Sequence, residues 1–246
     1  MNHLVIISGP SGVGKSPLLK ALRKFYPGLG SRLSPLTLYN SRSPRPGEVD
    51  GQDYHFRSRA QIQKFRGRKG FLVMEVRGDL QALDLKELNS RLKKSSVVFE
   101  GNPFIGAALL NSRSLKKFVR ISIYISPFSL EEIEYLKSQG GRALLEHMLT
   151  NLQRRKLLRR MLRQKGQLGL KDLEEVERRA SSAYQELGLA RYFALVIPNH
   201  DGEDSDNWEA FYYPMGEARK TLHAVVEVLE GKRPALGEKW RWNLIP

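Results

Sequence analysis

No cysteine occurs among the 246 residues, which excludes disulfide staples, thiolate nucleophiles and cysteine-held zinc. Long apolar runs are equally missing: no stretch approaches the ~18 consecutive apolar residues of a membrane span, so no span is expected. The start carries only a short apolar run, Leu4 to Ile7, without a basic leader, and a cytoplasmic location is the expectation. His3, His55, His147, His200 and His223 show no metal-ligand spacing and are assigned no chemistry. Acidic residues are outnumbered, with 41 Lys and Arg against 26 Asp and Glu, for a formal net charge of +15. That surplus favours phosphates, nucleic acids or anionic lipids as ligands, or else serves as a basic surface kept for solubility.

The composition that remains, 41% hydrophobic and 27% charged, is that expected of a soluble globular chain, one large α/β domain or a domain with sizeable insertions. Its first motif is strand, loop, helix. After Leu4 to Ile7 comes Ser8-Gly9-Pro10-Ser11-Gly12-Val13-Gly14-Lys15-Ser16, then a helix-like run from Leu18 to Lys24. Gly9, Gly14, Lys15 and Ser16 complete the G-x-x-x-x-G-K-S pattern, whose backbone amides cradle phosphates at a helix N-terminus. Lys15 is placed to reach the β- and γ-phosphates and Ser16 to offer its hydroxyl to Mg2+. Pro17 takes a first-turn position, where a missing N–H does little harm.

A second motif, Ser41-Arg42-Ser43-Pro44-Arg45-Pro46-Gly47-Glu48-Val49-Asp50-Gly51-Gln52-Asp53-Tyr54-His55-Phe56, cannot be an ordinary helix because of its prolines. It sets two arginines in an extended loop with a tyrosine, a combination that suits a phosphomonoester because guanidinium forks bind phosphate bidentately. A solvated basic loop is the alternative.

Together the two motifs resemble those of the guanylate kinases. The phosphate loop and the Arg42-x-Pro-Arg45-Pro-Gly-Glu-Val-Asp-Gly-x-Asp-Tyr54-x-Phe56 loop stand nearly letter for letter. Weaker likenesses run on through Phe71-Leu72, Gly78, the strand-like Val97 to Phe99 and Ile121 to Pro127, the stretch Arg178 to Leu187, and Val196 to Asp201. The resemblance implies an α/β P-loop three-layer fold: a parallel-stranded core over 1–32, 84–138 and 180–231, an inserted acceptor-binding subdomain over 33–83, a helical lid over 139–179 and a C-terminal tail over 232–246.

It also implies transfer of the ATP γ-phosphoryl group to a phosphomonoester, nominally GMP to GDP, with Mg2+. Carried over position by position, Ser11, Gly12, Val13, Gly14, Lys15, Ser16 and Asn199 would bind ATP, with Ser16 at the metal. Lys15 and Arg179 would act at the transferring group, and with residues 154–165 as the lid Arg160, Arg163 and Lys165 would swing over the ATP phosphates. Arg42, Arg45, Tyr54, Glu75 and Glu100 would hold the acceptor, the two glutamates standing in for base-reading acids. Such a site works by positioning and charge neutralisation.

Departures gather at the base end. Leu38, Val73, Gln81 and Leu83 replace the family's polar residues, with Thr37 a candidate substitute. They keep two alternatives open: a kinase of another nucleotide or sugar phosphate, and a non-catalytic guanylate-kinase-like binding module.

Residues 154–165, Arg154-Arg155-Lys156-Leu157-Leu158-Arg159-Arg160-Met161-Leu162-Arg163-Gln164-Lys165, predict a helix with Leu157, Leu158, Met161 and Leu162 on one face and seven cations. Three readings stay open for it: a lid over the ATP phosphates, a solvated helix packed by its leucines, or a patch for nucleic acid or an anionic surface. Helices are also expected over 130–136 and 143–152, with a break at Gln139-Gly140-Gly141, and over 219–231. Asp201-Gly202-Glu203-Asp204-Ser205-Asp206 is expected to be a solvated turn, and Trp240 and Trp242 to dock on the core or a partner.

Overall fold

The computed structural model describes residues 2–45 and 47–245; Pro46 of the proline-rich loop, Met1 and Pro246 lie outside the described residues. In chain order the elements are β1 His3–Ser8, α1 Lys15–Phe25, α2 Pro27–Gly30, β2 Leu33–Pro35, β3 Leu38–Asn40, β4 Tyr54–Phe56, α3 Arg59–Gln63, β5 Phe71–Val76, β6 Asp79–Asp84, α4 Leu85–Lys94, β7 Ser96–Gly101 and α5 Pro103–Asn111. They continue with β8 Val119–Ser126, α6 Leu130–Lys165, α7 Leu170–Ser181, α8 Ala183–Gly188, β9 Leu195–Pro198 and α9 Gly216–Leu229.

Five strands form a parallel sheet in the order β2-β7-β1-β8-β9. The central strand β1 carries Leu4, Val5, Ile6 and Ile7, all buried, because helices cover both faces and each side chain finds a core whichever way it points. Leu4 and Ile6 enter a cluster with Phe99, Tyr124 and Leu187; Val5 and Ile7 enter another with Leu18, Leu22 and Val225. The carboxyl ends of β1, β7 and β8 therefore open onto one crevice, the usual ligand position in such sheets.

A separate four-stranded sheet, β4-β3-β6-β5, is built mainly from antiparallel pairs, with β3 and β4 parallel. Ile62, Leu80 and Ala82 give it a small core of its own.

Helix α6 is a single 36-residue run interrupted where the glycine pair predicts a break: Gly140 and Gly141 leave helical geometry, Gly141 at φ 62°. Ser129 and Glu132 cap its start reciprocally. On its basic stretch Leu157 and Met161 are buried with Val176 of α7, whereas Leu162, expected on the same face, is exposed. Four positions of helix turn more than one full circle, so a face containing both 158 and 162 lies at the edge of the buried stripe. The stretch from Arg178 to Leu187 likewise splits between α7 and α8.

The tail folds back onto the core. Glu238 pairs with Val196 at the sheet edge and its carboxylate accepts the N–H of Leu130, capping α6 at 3.0 Å. Trp240 is buried against Tyr124, while Trp242 stays largely exposed beside Tyr192.

Candidate functional site

The phosphate loop leaves β1 and enters α1 through two left-handed glycines. Gly12 has φ 81° and Gly14 φ 100°; a Cβ on Gly14 would stand 2.7 Å from Asn199 Nδ2, so neither its backbone nor its surroundings admit a side chain. Lys15 is buried and its ammonium donates to the carbonyls of Gly9 and Pro10 at 2.9 and 2.7 Å. Burial draws the Lys15 pKa below its ordinary value, against the opposing pull of Glu203, Glu100 and Glu186. Pro17 is the third residue of α1, where no carbonyl within the helix is available to an N–H, and the first helical bond runs from Leu18 N to Gly14 O.

Glu100 corrects the sequence expectation. Register pairs it with Ile7 on the neighbouring strand, which carries its carboxylate to the phosphate loop rather than to the base end, and it accepts the Ser16 hydroxyl at 2.7 Å. Burial pushes its pKa up, while the Ser16 bond and Lys15 oppose the rise. A serine hydroxyl beside a carboxylate is a hard oxygen donor set of the kind Mg2+ takes together with substrate phosphates. Among the described residues no cluster of three or more His, Asp or Glu forms an all-protein metal cage.

The opposite wall comes from the second sheet and its proline-rich loop. Arg42 makes two 2.6 Å bonds to Glu48 and lies over the Tyr54 ring, 5.0 Å from its centroid. Arg45 meets Glu175 of α7 at 2.6 Å, and burial draws its pKa down. Burial also pushes the Tyr54 phenol up, so it stays a hydrogen-bond donor. Between the walls lies a cleft of about 530 Å3 that Lys15, Ser16, Arg42, Arg45, Tyr54 and Arg179 line. An adjoining cavity of about 550 Å3 shares Ser16, Arg160 and Glu203 and extends to Pro17, Lys20 and Trp208.

The helix cations are met by acids. Arg160 pairs with Glu203, Arg159 with Asp204 at 3.7 Å and Arg163 with Asp206 at 3.0 Å, so residues 201–206 are a counter-ion segment, not the solvated turn expected. Arg154 binds Glu177, Lys165 binds Asp172, and Lys156 is buried with its ammonium on the His200 carbonyl. With five of its seven cations paired to acids and Lys156 buried on a carbonyl, this helix does not support the nucleic-acid or anionic-surface reading. Arg179 shares Glu175 with Arg45 and faces the cleft; Arg163 faces the outer cavity.

Other expected residues stand elsewhere. Glu75 is exposed, bound to Arg59 at 2.9 Å, because its place in β5 points away from the cleft. Asn199 is fully buried and donates to the Val13 and Asp201 carbonyls at 2.8 and 2.6 Å; it braces the phosphate loop from behind and does not line either cavity. The Val13 side chain enters the core, leaving only its backbone to the loop. Leu38 and Leu83 are core residues, Val73 packs on the second sheet, and Thr37 donates to the Gln52 carbonyl, so none of the four marks the base site.

In their stead Asn40 and Gln81, opposite each other on β3 and β6, line the cleft beside Asn102, whose amide donates to Gln81 at 3.0 Å. Sequence reasoning also missed Arg77, Arg178, Glu48, Glu175 and Glu203. Glu48 lies within the proline-rich motif, but Glu175 and Glu203 stand 130 and 43 residues from Arg45 and Arg160 with no motif to announce them, and Arg77 carried none.

Comparison with known proteins agrees with this geometry. The family model described as guanylate kinase matches residues 1–161. A guanylate kinase from Mycolicibacterium paratuberculosis is 37% identical over 143 residues, covering 54% of this chain and 57% of that one. One from Nostoc is 31% identical over 154 residues, covering 62% and 74%. The crystal structure of guanylate kinase from Anaplasma phagocytophilum superposes with a TM-score of 0.53 at 17% identity, over 94% of this chain and 85% of that one, which shows the shared fold. A family match through more than half of the sequence, over the strands and loops that build the cleft, makes this chain a member of the guanylate kinase family.

Proposed function

We propose that the protein is an ATP-dependent kinase that phosphorylates GMP to GDP. The observation that carries this reading is the pairing of two phosphate sites across one cleft: Lys15 with Ser16 and Glu100 on the sheet side, Arg42, Arg45 and Tyr54 on the other. Donor and acceptor phosphates held there face each other, and the transferring group passes through a region lined by Arg160, Arg178 and Arg179. Family membership does not favour a different phosphate acceptor, and the retained Gly14-Lys15-Ser16 does not favour a non-catalytic module.

The five-stranded sheet acts as the core, the four-stranded sheet as the acceptor-binding part, and α6 beyond its glycine kink with α7 as the lid. Ser16 and Glu100 would hold Mg2+, which when bound would neutralise charge on the donor phosphates. The other positive charges come from the chain: Lys15 sits on the phosphate loop, and the α6–α7 arginines move onto phosphate by exchanging their glutamate partners for it. The outer cavity beside Pro17 and Trp208 takes the donor's nucleoside. The amides of Asn40, Gln81 and Asn102 offer the polar groups nearest the acceptor clamp. Acceptor-dependent ADP release, measured with wild type and Lys15→Ala, tests the reading; release with GMP that vanishes in the variant is the expected result.

A further inference from the structure

Arg77 follows β5 in the turn to β6 and is the only described non-glycine residue with a left-handed backbone, φ 55°. Arg77 and Gly78, at φ 88°, are the two central residues of the β5–β6 hairpin, a turn that takes positive φ at both. Three sets of contacts then hold Arg77 in place. Nε donates to Glu186 at 2.7 Å and to the Ser182 hydroxyl at 3.0 Å, and Nη2 lies 2.5 Å from the same glutamate oxygen. Nη1 donates to the Ser11 hydroxyl of the phosphate loop at 2.9 Å. The Arg77 carbonyl faces Arg178 of α7. Glu186 is completely buried, and Arg77 is its ion-pair partner.

One side chain thus joins the second sheet, the phosphate loop and the segment that leaves α7, and it lines the cleft between the donor and acceptor phosphate sites. An ion pair serving stability alone would need Glu186 and nothing more. The further bond to Ser11 aims the fork at the phosphate loop. We propose that Arg77 is a positioning residue for phosphoryl transfer: it fixes the spacing between the acceptor sheet and the phosphate loop and holds a positive charge between the two phosphate sites. This inference rests on the kinase reading.

Loss of the strut leaves each substrate its own binding groups but misaligns them. Arg77→Ala is therefore expected to lower kcat about a hundredfold, with both KM values within about threefold, as expected of a misplacement near 1 Å. Arg77→Lys keeps a charge beside Glu186 but cannot fork to Ser11, so its kcat is expected to fall between the two. The experiment is steady-state kinetics with ATP and GMP on wild type and both variants, with thermal melting alongside. Should Arg77→Ala fail to fold, Arg77→Lys carries the test alone. A lysine variant with wild-type kcat overturns the proposal, as does an alanine variant whose lost activity only matches its lost folded fraction or appears only in KM. Wild-type protein without transfer activity overturns the kinase reading itself, and an active wild type with unaltered variants overturns only the role of Arg77.

Discussion

Arg45 and Glu175 meet across the cleft, with Arg45 Nη2 2.6 Å from Glu175 Oε1, and that oxygen also accepts from Arg179. A carboxylate thus occupies Arg45, proposed to hold the acceptor phosphate, together with Arg179, and it ties α7 to the proline-rich loop. Both partners are about a third exposed, so the competition is modest. Glu175→Gln is expected to lower the KM for GMP about two- to fivefold, with kcat within about twofold, the scale of one partly exposed ion pair. Steady-state kinetics over a range of GMP concentrations checks it.

The clamp itself is less forgiving. Arg42 is mostly buried and its fork is set by Glu48 and by the Tyr54 and Phe56 rings. Arg42→Ala is expected to reduce kcat/KM for GMP by about 10²–10³-fold, with the KM for ATP little changed. Arg42→Lys should recover little of it, because a point charge cannot reproduce a bidentate contact.

Asn199 supports the phosphate loop without facing either cavity. Its amide satisfies the Val13 carbonyl, four residues before Pro17, and the Asp201 carbonyl. Asn199→Ala is expected to cost about 1–3 kcal/mol of stability by orphaning the buried Val13 carbonyl, since the Asp201 carbonyl keeps the Trp208 indole N–H, seen in urea denaturation, with the KM for ATP rising in step. A rise in that KM at unchanged stability would instead place the side chain on the nucleotide.

Acid should loosen the site's frame. Burial pushes Glu48 and Asp201 up, but hydrogen bonds outweigh it: Arg42 and the Arg45 N–H on Glu48, and Asn207, Ser205 and the Ala218 N–H on Asp201. Both carboxyls end below their ordinary values of 4.5 and 3.8. A depressed folded pKa contributes stability that is fully present above the unfolded value and is lost as pH falls through the folded one. Melting temperature should therefore hold from neutral pH to about the ordinary carboxylate range and drop below it. Glu48→Gln should flatten part of that drop.

The phosphate loop and the arginine loop were legible because their demands are local: Gly14 must be left-handed and without a side chain, and the prolines keep residues 42–45 out of a helix. The glycine pair at 140–141 announced the kink of α6 for the same reason. Residues whose role depends on register or on distant partners were not legible. A glutamate at the end of a strand reads equally as a base contact or a metal-side acid, and only the pairing of Glu100 with Ile7 decides. The acids 203–206 lie some forty residues from the arginines they neutralise, and nothing in either segment announces the other. Gly78 marks the hairpin turn that holds Arg77, but nothing in the sequence says that the arginine beside it reaches Ser11 and Glu186.

The most direct measurement is Mg2+-dependent ADP formation from ATP with and without GMP, using wild type and Lys15→Ala. The account predicts GMP-dependent ADP and GDP in equal amounts from wild type and a loss of about 10³-fold or more in the variant. ADP formation indifferent to GMP, or undiminished in Lys15→Ala, would contradict it.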